Sequence, residues 1–179
     1  MQIDRRTAIK NFLIITAAVS FMPSCREDKK TSSIPLSNFT VDSEQESLLA
    51  ELAETIIPAT DTPGAKAIGA HLFALKMLDD CYSKDDQQHF MRGLEAFDKL
   101  SKKKVDQPFV KADPAQRATL LQLVQQKEGV DEDVLFFYGT TKKLTVEAYT
   151  TSKYFLTKVH PYELVPSRFH GCVPVKDAV

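Results

Sequence analysis

Leu48, Leu49, Leu52, Ala53, Ile56 and Ile57 recur at helical spacing and then run into Pro58. Apolar residues at that period demand a helix with one buried face, and a proline denies helical geometry to the residue before it. The chain must therefore turn a corner after Ile57. Ser43 with Glu46 reads as a capping box that starts this helix. After the loop Ala59-Thr60-Asp61, Thr62-Pro63 reads as the N-cap and first turn of a second helix, with Ile68, Leu72, Leu75 and Leu78 as its apolar stripe. Ser83 and Asp86 predict a third helix start ahead of Phe90, Leu94 and Phe97. Its end, Lys102-Lys103-Lys104, reads as a solvated last turn that suits the helix dipole. Asp113-Pro114 opens a fourth helix over Leu120, Leu121 and Val124, closed by Gly129. Asp131 opens a fifth pattern, the longest, through Val134, Phe137, Tyr138, Leu144 and Ala148, with Gly139 marking a kink or break. Beyond Lys158 the periodicity stops, and Pro161, Pro166, Gly171 and Pro174 punctuate an irregular arm. With no Trp and only 6 Gly in 179 residues, turn-free runs dominate. The expected fold is all-α: a compact bundle of about five helices with a proline-rich C-terminal arm.

The first two dozen residues follow a different logic. Arg5, Arg6 and Lys10 precede an apolar run, Phe12 to Met22, which is the layout of an export signal. At roughly 11 residues the run is too short for the ~20 that span a bilayer. Arg5-Arg6 followed by Thr7 to Lys10 resembles the twin-arginine address; ordinary Sec export is the alternative, since Ala8 stands where an aromatic residue is frequent. Met22-Pro23-Ser24-Cys25 resembles a lipobox, which would make Cys25 a lipidated N-terminus. The competing cut follows Ala18-Val19-Ser20 and leaves a soluble protein. The expected segments are an export signal over 1–24, a polar tether over 25–41 and a helical domain over 42–179. The expected address is the periplasmic face of a bacterial membrane, with the chain lipid-anchored. In that oxidising setting Cys81 and Cys172 are candidates for a disulfide; two separate thiols, or a crosslink to another chain, are the alternatives.

No complete catalytic set stands in the sequence. Gly64 and Gly69 enclose four residues, as in half of a phosphate loop. However, Ala70-His71 follows where Lys and Ser or Thr are required, and a helix precedes instead of a strand. His71, His89, His160 and His170 lack metal-ligand spacing; His89 has Asp85 four residues before it, a common helix-surface pair. A net charge of -1 offers no nucleic-acid footprint. No catalytic, cofactor-binding or metal residue is expected in this chain.

Three stretches carry a resemblance. Glu54-Thr55-Ile56-Ile57-Pro58-Ala59-Thr60-Asp61-Thr62-Pro63-Gly64-Ala65, the later Leu144 to Ser152, and Tyr162 to Pro174 with Gly171-Cys172-Val173-Pro174 look like the gluconate 2-dehydrogenase subunit 3 family, from about Glu46 to Pro174. The resemblance implies the small subunit of a membrane-associated flavin dehydrogenase of sugars or sugar acids. In such complexes a large subunit holds FAD and oxidises the sugar, and a cytochrome c subunit passes electrons on. The small subunit carries the export signal and helps the large one mature. Arg5 and Arg6 would serve export, and Pro58, Thr60, Asp61, Thr62, Pro63 and Gly64 match the signature loop. That loop is either a structural helix-loop-helix corner or a surface presented to the flavoprotein. Pro166-Ser167 departs from the expected Pro-Gly. The alternative function is a free-standing exported lipoprotein module with no dehydrogenase partner.

Overall fold

The computed structural model describes residues 32–160 except 128, together with 162, 163 and 172. The chain divides after Thr31 into two units, and the described residues all belong to the second. Arg5, Arg6 and Cys25 lie outside them, as does most of the C-terminal arm. All regular structure among the described residues is helical: α1 Ser43–Ile56, α2 Ala65–Ile68, α3 Ala70–Cys81, α4 Lys84–Val105, a 3-10 turn Phe109–Lys111, α5 Pro114–Gln126, α6 Glu132–Thr150, and a π turn Phe155–Val159. The expected all-α bundle is therefore present, with five helices of more than one turn.

Most helix starts are set by local side chains. Ser83 accepts from the Asp86 N–H, Asp113 forms a capping box with Gln116 and places Pro114 in the first turn, and Asp131 accepts from the Asp133 N–H. The α1 cap differs by one residue. Asp42 accepts from the Glu44 and Gln45 N–H groups while Gln45 returns a bond to the Asp42 backbone. Glu46 is otherwise engaged, both of its carboxylate oxygens lying 2.7 Å from donors of Ser33.

Three expectations about helix ends are corrected. The segment after Pro63 is not one helix: its N-cap is Gly64, and Gly69, at φ 79°, splits it into the single turn α2 and the longer α3. The α5 helix ends at Lys127, which is itself left-handed at φ 60°, two residues before Gly129. The α6 helix runs unbroken through Gly139 because Tyr138, Thr141, Leu144 and Thr145 are buried around it. Packing on that face outweighs the ~1 kcal/mol that a mid-helix glycine costs. The longest helix is α4, at 22 residues, ahead of α6 at 19.

The core gathers Leu49 and Leu52 of α1, Leu75 and Leu78 of α3, Phe90 and Phe97 of α4, Leu120 of α5, and Phe137 and Leu144 of α6, all fully enclosed. Phe97 lies 5.0 Å from the Phe109 ring and 5.4 Å from Phe137, which is 4.9 Å from Phe90. Each enclosed ring contributes about 2–3 kcal/mol. The α4 and α6 helices meet at Gly93, where an added Cβ would lie 2.2 Å from the Asp133 carbonyl oxygen. The buried members of a second cluster are alanines, Ala53, Ala65, Ala70 and Ala148, with Ile57 and Phe73 packed against them. Small side chains at these positions let α1, α2, α3 and α6 come close together just below the Pro58 corner.

Residues 32–41 are not tether. Ile34, Leu36 and Phe39 pack against the core and Val41 is buried, so the folded unit begins ten residues earlier than polar composition suggested. Cys81 and Cys172 are both exposed and unbonded; the expected disulfide is not formed in this structure.

Candidate functional site

The corner begins where Pro58 stops α1. Ile57 donates its N–H to the Ala53 carbonyl, and its own carbonyl accepts from the Ala65 N–H at 2.9 Å. These bonds close the loop at its base. Within it, the Thr60 hydroxyl donates to Asp61 Oδ1 at 2.9 Å and lies 3.2 Å from the Thr62 hydroxyl, while the Thr60 N–H reaches the Thr62 carbonyl at 3.0 Å. The tip is thus tied to itself. Pro58, Thr60 and Asp61 are exposed, Thr62 and Pro63 half-buried, and Gly64 buried. Thr62 is not a helix cap, contrary to expectation; its hydroxyl serves the loop.

Glu54 holds the corner from below. One carboxylate oxygen accepts from the Ala59 N–H and the other from the Lys66 N–H, both at 2.9 Å. A single side chain of α1 therefore fastens the outgoing and returning limbs, and it satisfies a first-turn donor of α2 that has no partner within its helix. Gly64 makes this possible: a Cβ there would stand 2.3 Å from Glu54 Oε1. From the opposite side, the Tyr149 hydroxyl of α6 donates to the Pro63 carbonyl at 3.0 Å. Glu51, one turn before Glu54, bonds Lys66 Nζ at 2.5 Å and pairs with Arg117. Arg117 in turn donates to the carbonyls of Phe109 and Val110. Burial pushes the Glu51 carboxyl upward, but the bonds to Lys66 and Arg117 outweigh it and leave the group below its ordinary value.

Beside the corner lies an open, largely apolar groove of about 570 Å³, lined by Pro63, Ile68, Phe73, Ala148, Thr151 and Tyr154 among others. The Glu54–Ala65 and Leu144–Ser152 stretches, far apart in the chain, therefore build one face. Tyr162 to Pro174 lies mostly outside the described residues. Glu54, Tyr149 and Glu51 escaped individual notice in the sequence because their partners are 12, 86 and 66 residues away, and no local pattern encodes such distances.

The histidines lie elsewhere. His89 Nε2 sits 2.8 Å from Asp133 of α6, and its ring stacks on Phe136 at 4.1 Å. It clamps α4 to α6 instead of pairing with Asp85. His71 is half-buried, and burial holds its pKa below the ordinary value against the pull of Glu46. Among the described residues no three His, Cys, Asp or Glu side chains gather as a metal set.

Fold and corner together define a small all-α bundle protein whose most constrained exposed feature is a self-bonded, doubly fastened helix-loop-helix corner. Residues 43–166 match the family described as gluconate 2-dehydrogenase subunit 3, and the chain belongs to that family. By that description it is a subunit within a dehydrogenase complex. The match contains the corner and all of α6 and stops at Pro166, short of the Gly171-Cys172-Val173-Pro174 piece. The chain matches no curated protein and no solved structure.

Proposed function

We propose that this chain is the non-catalytic small subunit of a flavin-dependent dehydrogenase of sugars or sugar acids, working at the periplasmic face of a bacterial membrane. Its task is to support export, maturation and assembly of the large subunit, which holds the FAD. Arg5 and Arg6 supply the export address, and Cys25 the lipid anchor. A cytochrome c subunit is a further partner. The observation that carries this reading is the meeting of the two matched stretches at one exposed face, within a chain of that family.

A corner fits docking for a physical reason. Association costs entropy wherever a contact surface must first be ordered. Here Glu54, Tyr149 and the Thr60-Asp61-Thr62 bonds order the surface beforehand. Pro58, Thr60 and Asp61 are the contacts offered, and Thr62, Pro63 and Gly64 set their positions.

The test is co-expression with a candidate large subunit that lacks its own export signal. The expected product is a yellow complex that oxidises sugar. Replacing Asp61 and Thr62 together by Ala is expected to weaken co-purification by roughly tenfold or more, the scale of a modest interface hot spot, while the thermal midpoint of the isolated chain stays close to wild type. Full recovery with the double variant would remove the corner from the interface. A flavin-free monomer in the presence of the candidate partner would favour the free-standing lipoprotein module.

A further inference from the structure

Residues 32–41 are held to the helices by an unusual fastening. Asp79 lies in the last turn of α3, where a negative charge opposes the helix dipole, and its side chain is entirely enclosed. A buried carboxylate there is unfavourable for α3 itself and calls for compensation from outside the helix. The strap supplies it. Ser37 N–H lies 2.9 Å from Oδ2 and 3.1 Å from Oδ1, and Asn38 N–H lies 2.7 Å from Oδ1. The Asn38 side-chain amide then donates to the Asp79 carbonyl at 2.8 Å. Lys76 Nζ, on the same helix, approaches Oδ2 at 3.6 Å.

A second carboxylate fastens the other end. Glu46 of α1 accepts from both the backbone N–H and the hydroxyl of Ser33, each at 2.7 Å. Ser32 N–H closes the segment on itself through the Val41 carbonyl at 2.9 Å. Between the two fastenings Ile34 and Leu36 lay their side chains on the core, and Phe39 does so just beyond the second. The two carboxylates come from different helices, so the fastening is complete only once α1 and α3 have packed together.

We propose that residues 32–41 are a latched strap, closed by Asp79 and Glu46 over an apolar strip of the core, which limits how far the helices can stand from Cys25. With the strap closed, six residues lie between Cys25 and Ser32, an extended span of at most about 25 Å. With it open, the free chain reaches Asp42, a span of up to about 60 Å. A lipid-anchored subunit with a closed latch keeps the domain, and whatever docks on its corner, on the short leash. The latch rests on the geometry of Asp79 and Glu46 alone; the leash rests also on the lipidation reading given under Proposed function.

Hydrogen exchange with mass spectrometry on the full-length chain tests the latch. In the wild type the amides of Ser33, Ser37 and Asn38 are protected. Asp79→Asn raises exchange across residues 32–41 by roughly tenfold or more while α4 to α6 keep their protection. Should Asp79→Asn unfold the whole domain, Glu46→Gln serves instead and frees the Ser33 end selectively. Wild-type exchange over 32–41 at the rate of a free peptide, or unchanged protection in both variants, overturns the latch. The intact mass of the mature protein checks the leash separately: an unmodified Cys25 removes the leash and leaves the latch standing.

Discussion

Gly64→Ala separates two opposing effects at the corner. Gly64 sits at φ -75° and ψ 170°, ordinary extended backbone that alanine adopts freely. On conformational grounds alone the substitution stabilises by about 0.4–1 kcal/mol, because the unfolded chain loses freedom. The collision works against it. The new Cβ would lie 2.3 and 2.4 Å from the two Glu54 carboxylate oxygens, so the carboxylate must swing away and release the N–H groups of Ala59 and Lys66. Bonds to a charged acceptor contribute about 1.5–3 kcal/mol each when enclosed; at this partly exposed site the pair amounts to roughly 2–3 kcal/mol. The collision wins, leaving a net loss of about 1–2 kcal/mol, or roughly 4–8 °C in midpoint for a domain of this size. Glu54→Ala alone costs about the same two bonds. In that background the obstacle is gone, and Gly64→Ala becomes neutral or stabilising by about half a kcal/mol. Urea unfolding of the four proteins, followed by circular dichroism, measures the cycle. An equal cost of Gly64→Ala in both backgrounds would refute the Glu54 fastening.

Gly93→Ala gains about 1 kcal/mol of helix propensity. Its Cβ, however, meets the Asp133 carbonyl oxygen at 2.2 Å and Phe137 Cβ at 2.6 Å, and backbone cannot swing aside as a carboxylate can. We expect overpacking of up to about 3 kcal/mol to outweigh that gain, for a net loss of roughly 1–2 kcal/mol by urea unfolding. Acid is expected to weaken the protein through Glu51. Its folded pKa is depressed below the ordinary 4.5, so its contribution is fully present above about pH 4.5 and is lost as pH falls through the lower folded value. Glu51→Gln should remove about 1 kcal/mol at neutral pH and flatten the stability profile below pH 4.5, measured by urea midpoints across that range.

The partly exposed corner explains why its loop read equally well as scaffold and as contact. Pro58 ends α1 by sterics that involve only its neighbour, and that much was legible. Whether the loop is rigid depends on Glu54 reaching across to Lys66 and on Tyr149 arriving from the far end of the chain. Ser32 to Val41 shows the same limit. Its serines and single proline suggest a tether, yet Ile34, Leu36 and Phe39 lie against the core because Asp79, some forty residues on, accepts the backbone N–H groups that a free tether leaves to water.

The sequence by itself determined the all-α class, the family, the stop at Pro58, and the caps at Ser83, Asp113 and Asp131, since a cap or a proline acts within about four residues. Only the tertiary structure decided that α6 continues through Gly139, that Gly69 divides α2 from α3, and that Glu54 and Asp79 fasten loop and strap. Those outcomes depend on which surfaces meet when the helices pack. A carboxylate chooses its donors by distance in space, which sequence spacing does not encode once the partners belong to different elements.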